Sequence, residues 1–380
     1  MPAMRIVIAY RAIDNIAGGV ERMSTALMNA MSKRGHEVHF ITLDRKEAVS
    51  FYPMDERIFW HKMDMGDYRQ KATWGLRFKR AKVTRTLLKK IKPDIIVGFQ
   101  DGPFLSMRTY SASLGIPAIL AERIAPTHFD FTKSGRYRNI TYQLYRSAHL
   151  ITVQCESYIQ EYPHYLQPKI KTIPNPVFPR KGTAEPAGKE EKTKNLLCVG
   201  RIGYQKNQLC LIKSFARLHK KHPNWRLVLA GATDNDEAKE LILSLGIQYR
   251  VNMLGAVKDV DSLYKSAHLF CLPSRWEGFP NALAEAMTFG LPAVGFRGCG
   301  GVRDLIQHEK SGLLADGNEN TDTLTKALNT LMSDDKKRAQ MGQEGATWIK
   351  QFEPNKIYDL WEETFLQIIA KKSQKALFPD

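Results

Sequence analysis

The sequence predicts an α/β protein of two parallel-sheet domains in series. Three observations carry this. Short apolar runs alternate with helical patterns in two successive stretches. A segment rich in Pro, Gly and charge, PNPVFPRKGTAEPAGKEEKTK at 174–194, interrupts the alternation. The chain has 380 residues, enough for two cores of ordinary size.

The elements follow in order. MRIVIAY (4–10) is a short apolar strand. A helix over 19–33 follows, with Val20, Met23, Leu27, Ala30 and Met31 on one face. Further strands are EVHFITL (37–43), DIIVGF (94–99), PAILA (117–121) and HLITVQ (149–154). Beyond the break, strands are expected at 195–201, 225–231, 249–255, 268–274 and 291–296, with helices over 206–221, 235–245, 259–267 and 281–289. The last stretch is helical over 320–332, 334–351 and 355–372, and no repeat of fixed period is present. The expected division is a first domain at 1–175, a linker at 176–194, a second domain at 195–352 and a terminal helix at 353–380.

Composition narrows the class. Hydrophobic content of 43% and charged content of 25% describe a globular chain. The five cysteines are scattered and form no CxxC pair, so reduced thiols in a cytoplasmic protein are expected. The sequence shows no secretory leader pattern and no run of about 18 apolar residues. The net charge of +17 is uneven: residues 1–180 carry 28 Lys and Arg against 15 Asp and Glu, the remainder 28 against 24. A basic first half calls for an acidic partner such as anionic lipid, nucleic acid or a phosphorylated substrate.

The most specific segment is PSRWEGFPNALAEAMTFGLPAVGF (273–296). It places a loop with Glu277 between a strand and a helix that carries Glu285. A helix N-terminus offers free N–H groups to a phosphate or to sugar hydroxyls, and each carboxylate can grip vicinal hydroxyls. The segment VGRIGYQKNQ (199–208) puts Arg201 and Lys206 in the loop opening the next helix, where two cations can neutralise a departing diphosphate. AGGVER (17–22) supplies Gly18 and Gly19, which permit close backbone approach to a ligand, or merely form a strand–helix turn. LAERIAPTHFD (120–130) places Glu122 and Arg123 after a strand, with His128 further on. IPNPV (173–177) sets Asn175 in a Pro-flanked turn.

EGFPNALAE, with two glutamates and seven residues between them, resembles the signature of glycosyltransferase family 4, retaining enzymes of the GT-B fold. The resemblance spans nearly the whole chain. It implies two facing Rossmann-like domains, the first for the acceptor, the second for the nucleotide sugar, and a C-terminal helix crossing back to the first. By the same resemblance Glu277 meets hydroxyls of the donor sugar as a catalytic residue and Glu285 meets the ribose. Backbone N–H groups of Phe279, Asn281 and Ala282 face the donor sugar. Pro280 has no N–H to give where many members have Gly. Arg201, Lys206, Gly18 and Gly19 hold the diphosphate, and Val257 in LGAVKD (254–259) borders the base. Arg123 is the catalytic candidate of the first domain, and His128 and Asn175 face the cleft. The implied reaction moves a hexose or N-acetylhexosamine from a UDP-sugar to a lipid-linked or glycan acceptor in surface-glycan assembly. No cofactor and no metal are expected, the nucleotide sugar being a substrate.

The stretch 69–92 holds ten Lys and Arg and no acid, with Trp74, Phe78, Ala81, Leu88 and Ile91 as an approximate helical stripe. It reads as a peripheral contact with an anionic membrane surface at the cytoplasmic face, or as a solvated helix packed on its own domain. Three rival readings stand beside transfer with GT-B geometry. Asp234-Asn235-Asp236 offers the Asp-x-Asp of a metal-dependent GT-A enzyme. A non-catalytic binder of polyanions or anionic lipid explains the charge but not EGFPNALAE. A sugar-nucleotide epimerase would use the same fold without an acceptor. No nucleic-acid partner is expected.

Overall fold

A computed structural model of the chain describes residues 3–188, 193–233 and 235–377. Its contacts divide it into two compact units, Met1–Pro176 with Asn355–Asp380, and Val177–Pro354.

The first unit contains β1 (Arg5–Ala9), α1 (Gly19–Lys33), β2 (Glu37–Thr42), β3 (Phe59–Lys62), α2 (Trp74–Ile91), β4 (Ile95–Phe99), α3 (Asp101–Tyr110), β5 (Ala118–Ala121), α4 (His128–Phe131), α5 (Arg138–Tyr145), β6 (Leu150–Val153) and β7 (Ile170–Thr172). Seven strands form one parallel sheet in the order β3-β2-β1-β4-β5-β6-β7. Strands β4 and β5, and β1 from Ile6 onward, are apolar runs because helices cover a parallel sheet on both faces. Strands β3 and β7 are edge strands of four and three residues.

The second unit contains β8 (Lys194–Val199), α6 (Gln208–Leu218), β9 (Trp225–Ala230), α7 (Glu237–Ser244), β10 (Val251–Met253), α8 (Val260–Lys265), β11 (Leu269–Leu272), α9 (Asn281–Thr288), β12 (Ala293–Phe296), α10 (Gly300–Leu305), β13 (Gly312–Ala315), α11 (Thr321–Ser333) and α12 (Asp335–Trp348). Six parallel strands run in the order β10-β9-β8-β11-β12-β13. Leu211, Phe215, Leu227, Leu269, Val294 and Leu328 share its core. The side chain of Asn320 caps α11 by accepting from the N–H groups of Asp322 and Thr323 at 2.9 and 3.2 Å.

Helix α13 (Pro354–Leu377) ends the chain, and from Asn355 onward it groups with the first unit. Trp361 and Phe365 are fully buried there. Glu362 takes His36 at 3.0 Å and pairs with Arg34, and Lys171 donates to Thr364 at 2.8 Å.

The segment read as a linker packs on the second unit. Val177 donates to the Phe352 carbonyl and Ala184 to that of Phe289, each at 2.8 Å. The fully buried Arg338 donates to the Pro186 carbonyl at 2.8 Å and lies 4.9 Å over the Trp225 ring. A proline-rich strip cannot pair in a sheet, so its carbonyls are satisfied by this buried guanidinium. Residues 189–192 of that segment lie outside the described residues, as does Asp234 of the Asp-x-Asp sequence.

Candidate active site

In the second sheet the strand order reverses direction between β8 and β11. Ligands of open α/β sheets bind at such a point, outside the carboxyl ends of the strands. The loops following β8 and β11 are therefore where chemistry is expected, and both carry residues singled out from the sequence.

The loop after β8 is built for close approach. Gly200 sits at φ 150° and Gly231, after β9, at φ 153°. A Cβ on Gly231 would lie 2.1 Å from the Gly200 carbonyl oxygen, so the strand ends meet only because the residue is glycine. The Gln208 side chain then staples the loop, accepting from the Gly203 N–H at 3.2 Å and donating to the Arg201 carbonyl at 3.1 Å. Asn207, left-handed at φ 54°, ends the loop and opens α6. Lys206 projects from this turn, and Arg201 is exposed at its start.

The loop after β11 meets it directly. Lys206 Nζ lies 2.6 Å from Glu277 Oε1, and Ser274 Oγ donates to the same oxygen at 2.6 Å. Glu277 is 4% exposed, so the ion pair is sheltered from water on the carboxylate side. The backbone locks the loops together: Arg275 N–H donates to the Gln205 carbonyl at 2.9 Å, and Gln205 Nε2 to the Trp276 carbonyl at 3.0 Å.

Helix α9 begins four residues after Glu277, with Pro280 at its N-cap position. The Asn281 N–H donates to the Phe279 carbonyl at 2.9 Å, so this amide is already engaged within the turn. Phe279 is buried edge-on against Phe352 at 5.9 Å. One turn into the helix, each oxygen of Glu285 has a donor. Arg180 reaches Oε1 at 3.1 Å and the buried Tyr264 hydroxyl reaches Oε2 at 3.2 Å. The other guanidinium arm of Arg180 meets Asp261 at 3.1 Å. Val257 is half-buried in the loop after β10. Glu277, Lys206, Arg201 and Glu285 thus all belong to the carboxyl-end loops of one sheet, or to the helix that follows one.

The first-unit candidates divide. Gly18 and Gly19 open α1, and a Cβ on Gly18 would lie 2.0 Å from Glu21 Oε2. Arg123 is enclosed, 4% exposed, with its guanidinium 5.4 Å over Phe99 and 5.3 Å over Trp361. Burial lowers its pKa to about 9. Its neighbour Glu122 is also buried and is raised to about 7, first by desolvation and then by Asp101, although Tyr145 donates to it at 2.9 Å. His128 Nδ1 faces the Ala125 carbonyl at 2.8 Å, and burial lowers its pKa. Asn175 is buried and accepts from Gln154 at 3.1 Å.

Sequence reasoning passed over Arg180, Tyr264, Asp261 and Ser274. Only Ser274 had a local signal, as the last residue of the apolar run before Glu277.

Residues 180–348 match the family described as Glycosyl transferases group 1, and residues 17–181 match Glycosyltransferase Family 4. The chain belongs to glycosyltransferase family 4. This glycosyltransferase is 29% identical over 357 residues to an uncharacterized glycosyltransferase of Haemophilus influenzae, a match covering 91% of this chain and 96% of that relative. It is 28% identical over 363 residues to the GalNAc-alpha-(1->4)-GalNAc-alpha-(1->3)-diNAcBac-PP-undecaprenol alpha-1,4-N-acetyl-D-galactosaminyltransferase of Campylobacter jejuni, covering 93% and 96%. Among solved structures, the lipopolysaccharide outer core galactosyltransferase WaaB superposes with a TM-score of 0.74 at 20% identity over 99% of both chains. The expected GT-B class of two parallel-sheet Rossmann-like domains with a C-terminal helix holds.

Proposed function

We propose that this glycosyltransferase moves a hexose or N-acetylhexosamine from a UDP-sugar to a lipid-linked or glycan acceptor in surface-glycan assembly, with retention at the anomeric carbon. The observation that carries the reading is the Ser274–Glu277–Lys206 cluster at the strand-order reversal, with Glu285 one helical turn beyond. An ammonium has three N–H donors, so Lys206 can keep Glu277 and still hold a phosphate oxygen. In the proposed step the bond between the anomeric carbon and the diphosphate oxygen breaks. The acceptor hydroxyl forms its bond on the same face, and its proton passes to the released diphosphate. Lys206 and Arg201 offset the charge that develops on the leaving group, so the reading assigns no metal. Glu277 orients the donor sugar. Glu285, oriented by Arg180 and Tyr264, meets the two ribose hydroxyls. Arg123, packed between Phe99 and Trp361, acts as a positioning residue that ties β5 to α13.

The membrane contact keeps its place in the reading at the cytoplasmic face. Trp74 and Phe78, one turn apart on α2, are each 73% exposed, and Arg77, Lys79 and Lys82 lie beside them on the same helix. Aromatic side chains beside Lys and Arg suit an anionic interface, worth about 1 kcal/mol per basic residue near the surface. Among the described residues no helix is long and apolar enough to cross a membrane. The relative from Campylobacter jejuni, named for an undecaprenol-diphosphate-linked glycan, supports a lipid-linked acceptor.

Glu277→Gln tests the core of the reading. Turnover at saturating donor is expected to fall by roughly 10² or more. Near-normal turnover would remove Glu277 from the reaction.

A further inference from the structure

The first sheet has its own strand-order reversal, between β1 and β4. At the carboxyl ends of β1 and β2 lies a cavity of about 250 Å³, closed by α2 and α3 and lined by Tyr10, Arg11, Tyr68, Arg80, Ser106 and Tyr110 among others. Its volume is below the roughly 300–1,000 Å³ of drug-sized sites, so it suits one sugar ring or one phosphate group.

The lining contains two arginines and three tyrosines but no carboxylate. Arg80 is the unusual member. It is 9% exposed on the inner face of α2, and its Nε and Nη2 both turn to the Met65 carbonyl. Among the described residues no carboxylate lies within 4 Å of it. Buried cations are ordinarily paired, because an uncompensated one loses its hydration. One guanidinium arm, Nη1, keeps its donors for another acceptor. Arg11 reinforces the charge: its Nη2 lies 3.5 Å from where a Cβ on Gly102 would stand, at the start of α3.

We propose that this cavity binds an anionic group, a phosphate or a sugar carboxylate, carried by the acceptor, with Arg80 as its anchor and Arg11 and the tyrosine hydroxyls completing its shell. The proposal rests on the transfer reading for the identity of the occupant and adds the acceptor's chemistry to it.

The test is calorimetric titration of the full chain, first with UDP and then, at saturating UDP, with inorganic phosphate, glucuronate and methyl glucoside. Phosphate or glucuronate is expected to bind while neutral methyl glucoside does not. Whichever anion binds tighter separates a phosphate-bearing acceptor from a carboxylated sugar. Arg80→Met should weaken that binding at least tenfold. Ser106→Leu, which fills the cavity without replacing Arg80, should do the same, whereas the exposed Lys220→Met in the second unit should not. Unchanged anion binding in both cavity variants, equal binding of all three ligands, or no anion binding to the wild type would overturn the proposal. The UDP isotherm reports separately: its absence counts against the transfer reading, while UDP binding without anion binding counts against the cavity alone.

Discussion

Replacing Lys206 by Met removes the ammonium from the Glu277 carboxylate while leaving the Ser274 hydroxyl in place. Removing one partner of a fully buried pair costs roughly 3–5 kcal/mol, because the other charge loses both water and counter-ion. Glu277 is enclosed, but the Lys206 side chain keeps 23% exposure, so water can reach the vacated end. The expected destabilisation of the second unit is therefore about 2 kcal/mol. In urea, with a slope of about 2–3 kcal/mol per M, this is a midpoint shift of about 0.7–1 M. The double variant Lys206→Met/Glu277→Gln removes both charges and should recover most of the loss, giving a coupling of about 1–2 kcal/mol. Activity should not recover: all three variants should turn over poorly, with Lys206→Met down by roughly 10²–10³. Coupling below about 0.5 kcal/mol, the scatter of independent sites, would refute the ion pair as drawn.

Three further outcomes follow from the same geometry. Arg180→Met should shrink the preference for UDP over its 2′,3′-dideoxy analogue, measured by calorimetry, from about tenfold or more toward unity, because Glu285 loses one of the donors that orient it. Glu122 has a folded pKa raised from 4.5 to about 7, so the native first unit binds more protons than its unfolded form across that window. Its stability should fall as pH rises from about 4.5 to 7, by roughly 3 kcal/mol more in wild type than in Glu122→Gln, followed by urea unfolding at each pH. Gly231→Ala should cost roughly 3 kcal/mol or more, since its Cβ meets the Gly200 carbonyl at 2.1 Å, whereas Gly75→Ala in α2, with open space around it, should stabilise by about 0.5 kcal/mol in thermal unfolding.

The parallel strands β1, β4, β8 and β11 were legible because a sheet buried on both faces leaves a continuous apolar signal, from Ile6 in β1 and from Leu196 in β8. Strands β3, β7 and β13 were not: three or four residues, placed at sheet edges, are too short to show a period. Helix α2 shows where periodicity misleads. Trp74 and Phe78 join Leu88 and Ile91 in an apparent stripe, yet the buried face is Arg80, Thr84, Leu88 and Ile91, because the Met65 carbonyl gives Arg80 a partner inside. Glu277 and Lys206 could be found because each sits in a compact local string. Arg180 could not, since it reaches Glu285 from 105 residues away and lies in a segment whose composition reads as linker. Arg123 was visible as a cation after a strand, but nothing local indicates that Phe99 and the distant Trp361 enclose it.

The most direct measurement is a donor screen on the intact chain. UDP-, GDP- and ADP-sugars are supplied with membrane lipid extract, with and without chelator, and free nucleoside diphosphate and labelled lipid are followed together. The account predicts chelator-resistant transfer from a UDP-sugar to lipid, abolished by Glu277→Gln and by Lys206→Met. Transfer that vanishes with chelator and returns with manganese, or that survives both substitutions, would contradict it.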